Sequence, residues 1–211
     1  MRGKFITFEG TEGSGKTTII NNIEKALKEK GYKVIKTREP GGSNISEAIR
    51  NIILNVGNTE MDKITEALLY AASRRQHIVE VVKPNLESGN IILCDRYIDS
   101  SLAYQGYARG IGIEKVFELN KLAIDGLLPD LTLYIDVKPQ IGLNRIDSNN
   151  RNKDRLDLED LSFHELVYNG YKEVANLFSD RIKSIPGDAH IDEVYENVKT
   201  VIFNYLEKNN V

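Results

Sequence analysis

Tryptophan is absent from this chain of 211 residues, methionine occurs twice, histidine three times and cysteine once. The lone cysteine, Cys94, excludes an internal disulfide. Its place at the end of the apolar run Ile91-Ile92-Leu93 reads as a buried strand thiol, not a nucleophile. Such cysteine usage suits a reducing cytoplasm, which is the expected location. His77, His164 and His190 are scattered and read as packing or surface residues, so no serine–histidine or cysteine–histidine constellation is on offer. No apolar run approaches the roughly 20 residues that a membrane-spanning helix needs. The stretch from Arg2 to Glu9 is too short for a signal-peptide core. An excess of positive charge is missing as well. With 28 Lys+Arg against 31 Asp+Glu the net charge is −3, which gives no electrostatic case for nucleic acid or a membrane surface as partner.

What remains is an ordinary globular composition, 41% hydrophobic and 28% charged, with no repeat and no low-complexity linker. A chain of this length buries roughly 70–75% of its unfolded surface, so one core suffices. Apolar runs at Lys4–Phe8, Val34–Thr37, Ile91–Cys94 and Leu131–Val137 read as buried strands, with a weaker one near Ile182–Ile185. Helical patterns separate them: Lys16–Lys30, Ser46–Asn55, Met61–Val82 stopped before Pro84, Ile113–Gly126, Gln140–Ile146, Leu161–Ser179 and Asp192–Lys208. Alternation of this kind means crossover connections. The expected fold is α/β: a mostly parallel five-stranded sheet with helices on both faces, in one domain spanning 1–211. Ligands then bind beyond the carboxyl ends of the strands.

One such strand end carries Gly10-Thr11-Glu12-Gly13-Ser14-Gly15-Lys16-Thr17-Thr18, which satisfies G-x-x-x-x-G-K-[ST] directly after a strand and at the start of a helix. Glycines let the backbone wrap an anion, and the converging N–H groups meet phosphate at a helix N-terminus. Lys16 is placed to reach the β- and γ-phosphates of ATP, and Thr17 to offer a hydroxyl to Mg²⁺. The loop alone leaves GTPase, ATPase motor and kinase open. Asn120-Lys121-Leu122-Ala123 lacks the carboxylate of the guanine-reading N-K-x-D, and no second nucleotide motif appears. Two strands end in an aspartate, Asp95 and Asp136. Asp95 is the stronger metal candidate because Arg96 follows it, putting a carboxylate and a phosphate-binding cation together.

Arg38 emerges from the second strand into a Pro40-Gly41-Gly42 turn, and Arg74 and Arg75 lie on a helix. Arg38, Arg74 and Arg96 in one cleft are what clustered phosphates require, since arginine binds phosphate bidentately.

Taken together, Phe8–Thr18, Thr37–Gly42, the run from Asp95 to Gly106 and Pro129-Asp130-Leu131-Thr132-Leu133-Tyr134 make the chain resemble the bacterial thymidylate kinases of Gram-positive type. The resemblance spans nearly the whole chain. It implies a P-loop NTPase fold in three layers and transfer of phosphoryl from MgATP to dTMP, giving dTDP for dTTP synthesis. Arg38 and Arg96 would hold the 5′-phosphate, and Glu12 would accept the 3′-hydroxyl. Tyr70 would stack on thymine, while Arg74, Ser101 and Gln105 read its polar edge. Tyr104 would crowd the 2′ position, and Arg50 would line the same pocket. The loop near Pro186-Gly187-Asp188-Ala189 would border adenine, and a homodimer packed through helices beside the sheet is implied. Eukaryotic members carry an arginine where this chain has Gly13, so a lid at about 147–160 is expected to supply the missing cation. Arg151 and Arg155 are the candidates, with Arg155 ahead because Asp154-Arg155-Leu156-Asp157 resembles the bacterial lid. The rivals are a deoxynucleoside kinase, which needs a carboxylate base, and a nucleotide-binding protein without catalysis.

Overall fold

The computed structural model describes residues 2–148 and 154–209. Its centre is β1 (Phe5–Glu9), whose neighbours are β3 (Ile91–Asp95) on one side and β4 (Leu131–Asp136) on the other. β2 (Val34–Arg38) and β5 (Ile182–Pro186) complete a five-stranded sheet in the order β2-β3-β1-β4-β5, every pairing parallel. The helices between them are α1 (Lys16–Glu29), α2 (Asn44–Leu54), α3 (Lys63–His77), α4 (Lys83–Glu87), α5 (Ile98–Ser101), α6 (Ile113–Ile124), α7 (Pro139–Ser148), α8 (Leu161–Leu177) and α9 (Ile191–Lys208).

The continuous apolar strands are explained by burial on both faces. In β3, Ile92 and Cys94 join one core layer with Tyr97, Leu102, Val116, Val167 and Tyr171. Ile91 and Leu93 join the other, with Ile19, Ile23, Leu27, Val198 and Ile202 of α1 and α9. Each such side chain contributes roughly 1.5–3 kcal/mol on leaving water. Cys94 is fully buried, as its strand position predicts. The register brings Phe8 level with Asp95 and with Leu133, and Arg38 level with Asp95, so the chemistry-bearing strand ends share one edge.

Two departures from the sequence reading matter for the site. The long helix does not stop before Pro84. It passes through a π-helical segment, Ile78–Val82, into α4, which carries Pro84. The stretch after β3, read only as a motif, is helical: α5 runs into a second π-helical segment, Leu102–Ala108. Wide π turns break the 3.6-residue pattern that would reveal a helix in sequence, and they recur at functional sites. Here they present Tyr104 and Gln105 to the cleft.

Candidate active site

The strand ends open into one cleft of about 940 Å³. Its floor is the loop between β1 and α1. Gly15 caps α1 at φ 84°, a left-handed conformation that glycine adopts without penalty. Gly13, at φ 68°, has no room for a side chain, because an added Cβ would lie 2.0 Å from the Gly142 carbonyl oxygen on α7. Position 13 is thus committed to packing the loop against that helix. The Lys16 ammonium donates to the Gly10 and Thr11 carbonyls at 2.9 Å and to Ser14 Oγ at 3.0 Å. Burial, aided by the nearby Arg96, lowers its pKa to about 8. Gly10 and Thr11 form the back of the loop, while Glu12 to Thr18 line the cleft.

Thr17 Oγ1 donates to Asp95 Oδ2 at 3.1 Å, which unites the two metal candidates at the β1 and β3 strand ends. Asp136 does not line the cleft. A hydroxyl and a carboxylate are hard oxygen donors, and this sparse pair fits Mg²⁺, which keeps several waters and binds chiefly through substrate phosphates.

Arg96 is the hinge between donor and acceptor. It sits at φ 69°, unusual for a residue with a Cβ. Its Nη2 donates to Glu12 Oε1 at 3.0 Å, and Nη1 donates to Tyr171 Oη at 2.7 Å and Ser100 Oγ at 3.2 Å. Tyr104 Oη also donates to Glu12, and His164 Nδ1 lies 3.6 Å from the other Glu12 oxygen. Burial pushes the Glu12 carboxyl up, but Arg96, His164 and Lys16 outweigh it and hold it far below the usual carboxylate range. His164 is therefore not a surface residue. It is buried beside the acceptor carboxylate, and burial's downward pull on its pKa is overcome by Glu12.

Arg38 and Arg50 line the same cleft. Arg38 Nη2 lies 2.9 Å from both Glu47 oxygens, and Arg50 Nη1 donates to the Pro40 carbonyl at 2.8 Å. Tyr70, nine-tenths buried, and Arg74 continue the wall. Arg74 is fixed by Glu39 at 2.8 Å, by the Tyr97 carbonyl and Ser101 Oγ at 3.1 Å, and by Asn120. Ser101 accepts from Arg74 and so braces it behind the cleft wall. Gln105 lines the cleft as expected.

Arg155 is the main correction. Its guanidinium donates to the Ile53 carbonyl at 2.8 Å and to Glu66, is buried, and does not line the cleft. The carboxylate it pairs with, Glu66, is shared with Arg109 and Gln105. Arg151 lies outside the described residues. Arg145 of α7 does line the cleft, three residues beyond the Gly142 that packs on the loop.

Sequence reasoning missed Glu9 and Tyr171. Glu9, fully buried, accepts from Tyr97 N at 2.7 Å, Ser100 Oγ at 2.6 Å and Tyr171 Oη at 3.0 Å. Its position, as the last residue of the strand before the loop, was a usable signal. Tyr171 lies 162 residues away on α8 and offered none. Burial and the neighbouring Asp99 raise the Glu9 pKa to about 7 against Ser100, Arg96 and the Tyr97 amide. Below about pH 4.5 both folded and unfolded chains hold this proton. As pH climbs from there through about 7 the unfolded chain ionises first, and folding stability is lost. Glu9→Gln removes that titration. Its melting temperature relative to wild type is expected to rise between about pH 5 and pH 8; a difference that stays flat across thermal melts would refute the raised pKa.

With this geometry in view, comparison with known proteins is decisive. A family model for thymidylate kinase matches residues 8–198. The chain is 55% identical to the thymidylate kinase of Bacillus licheniformis over 99% of both chains. It is 57% identical to that of Clostridium novyi, over 94% of this chain and 97% of the relative. A crystal structure of thymidylate kinase from Ehrlichia chaffeensis superposes with a TM-score of 0.78 at 34% identity, covering 96% of this chain and 100% of that one. The loop, the strand-end carboxylates and the arginine-lined cleft thus sit in a chain that belongs to the thymidylate kinase family.

Proposed function

We propose that the cleft transfers the γ-phosphoryl of MgATP to the 5′-phosphate of dTMP, giving dTDP and ADP. As a member of its family the chain is a nucleoside monophosphate kinase, a phosphotransferase. The observation that carries the acceptor assignment is Arg96, whose side chain touches the phosphate loop's Glu12 while lining the acceptor half of the cleft with Arg38 and Tyr70.

A nucleotide phosphate with a second pKa near 6 already presents an anionic oxygen at neutral pH, so no general base is needed. Glu12, depressed by its cations, is a poor base and suits hydrogen-bond acceptance from the sugar instead. Lys16, the loop amides and Arg96 neutralise the transferring charge, and Arg38 and Arg96 grip the acceptor phosphate bidentately. Thr17 and Asp95 would hold Mg²⁺, which would supply further positive charge beside the phosphates. Tyr104, beside Glu12, closes the space for a 2′-hydroxyl. Gly187, Ala189 and Ile191 line the cleft next to the loop, which suits a border for the adenine. The stretch 147–160 acts as a lid within a single domain. The buried thiol of Cys94 suits a reducing cytoplasm.

A coupled ADP-release assay should show turnover of dTMP, weaker use of dUMP and none of thymidine. Lys16→Ala should lose most activity with its circular dichroism unchanged. Thymidine turnover without dTMP turnover would sink the reading.

The lid cation is assigned to Arg145, with Arg155 docking the lid. Arg145→Ala should lower kcat at least tenfold with little change in KM for dTMP, whereas Arg155→Ala should raise that KM more than it lowers kcat. The reverse pattern would restore Arg155 to the reaction.

The homodimer is assigned to α3, the π-helical segment that follows it, and α6, where Ile64, Leu68 and Val79 are partly exposed and Leu122 is 88% exposed. Leu122→Glu is expected to shift the species seen by light scattering from dimer to monomer. A monomeric wild type would end that assignment.

A further inference from the structure

We infer that Glu66, which touches no substrate, sets the choice of base by fixing which edge of the Gln105 amide faces the cleft. The inference rests on the dTMP-kinase reading and deepens it. Glu66, Tyr70 and Arg74 recur at four-residue spacing on α3 and so share one face. Tyr70 and Arg74 line the cleft, and Glu66 sits one turn back, 1% exposed, behind Gln105. Gln105 Nε2 donates to Glu66 Oε1 at 2.8 Å, and Gln105 is itself 1% exposed.

An amide can rotate to present either its carbonyl or its NH₂, but not against an ionised carboxylate, which only accepts. Turning the Gln105 carbonyl toward Glu66 would set two buried acceptors against each other. Glu66 is kept ionised: burial pushes its carboxyl up, and Arg109, Gln105 and Arg155 bring it below the usual value. Arg109 approaches both oxygens at 3.4 Å, and Arg155 pairs with Oε2. The carboxylate is therefore clamped from two sides. One N–H of the Gln105 amide is spent on it, which turns the side-chain oxygen Oε1 away from Glu66.

An acceptor at this wall matches the N3–H of thymine, which is a donor between two carbonyls. Cytosine presents a bare lone pair at N3, which faces the Gln105 oxygen as acceptor against acceptor. A site built around a substrate N–H rejects an analogue lacking it by about 10⁴–10⁵, because its own polar group is left unpaired. The rejection is a clash of like groups as much as a gained bond. If Gln105 were unclamped, it could turn its NH₂ to the cytosine lone pair and recover the contact. The orientation makes no distinction between dTMP and dUMP, whose N3 atoms are alike.

The test is kcat/KM for dTMP and for dCMP, with ATP as donor, in wild type, Glu66→Gln and Arg109→Gln. Glu66→Gln keeps the shape but lets both amides turn, and the dTMP:dCMP ratio should fall at least tenfold, with dCMP turnover rising. Arg109→Gln loosens the clamp but leaves the Glu66 carboxylate facing Gln105, and should lower the ratio by less than Glu66→Gln does. If Glu66→Gln does not fold, Glu66→Asp is read in its place, since it keeps the charge for the arginines and withdraws it from Gln105. A wild type that prefers dTMP, together with an unchanged ratio in the Glu66 variant, overturns this inference alone. A wild type that prefers dCMP or thymidine overturns the dTMP-kinase reading instead.

Discussion

Everything in the cleft is referred to one strained residue, Arg96. Its φ of 69° costs of order 1–3 kcal/mol in a residue with a Cβ, and the surroundings over-determine it. The Arg96 amide donates to the Phe8 carbonyl at 2.9 Å, extending the β1–β3 pairing past the strand end. Its guanidinium then spans Glu12, Ser100 and Tyr171. Because Ser100 and Tyr171 both donate a hydrogen bond to Glu9, the same cation is anchored to the strand that carries the phosphate loop. The loop, the acceptor helix after β3 and α8 are thereby held at a fixed separation, as in-line transfer between two phosphates demands.

A chain of net charge −3 holds several buried and half-buried arginines without self-repulsion because each is matched by a carboxylate. Arg74 has Glu39, Arg96 has Glu12, Arg155 and Arg109 share Glu66, and Arg181 has Asp99. Buried pairs of this kind contribute little net stability against an apolar replacement, since desolvation offsets attraction. Their use here is positional. An arginine whose other nitrogens are already spent points its remaining donors in one direction, so ligand binding exchanges partners and requires little reordering. Arg38 is the exception in exposure: half-exposed and paired with a half-buried Glu47 in solvent's reach, it is the cation freest to swing toward an incoming phosphate.

Much of this was legible in sequence, and the legible part is the local part. The phosphate loop is contiguous, its glycines are dictated by backbone geometry, and the strands are announced by apolar runs buried on both faces. Asp95 was separable from Asp136 because Arg96 stood next to it. What escaped was set by tertiary contact. The π-helical segments hide from a 3.6-residue pattern, and Tyr171 reaches Glu9 across the whole length of the chain. Arg155 was read from its local motif, yet the carboxylate it serves, Glu66, lies 89 residues earlier, where no spacing argument links them.

Gly13 shows how such remote constraints decide chemistry. The sequence showed only that an arginine was not there. The structure supplies the reason: the Gly142 carbonyl occupies the space a side chain would fill, and a Cβ on Gly142 would in turn meet the Glu12 carbonyl at 2.1 Å. Two glycines thus let a loop and a helix touch through bare backbone. An arginine could enter position 13 only if α7 withdrew, and α7 is the helix that brings Arg145 to the cleft. A side chain at position 13 and the present approach of α7 are therefore mutually exclusive. The close approach of Gly13 and Gly142 commits this chain to the second.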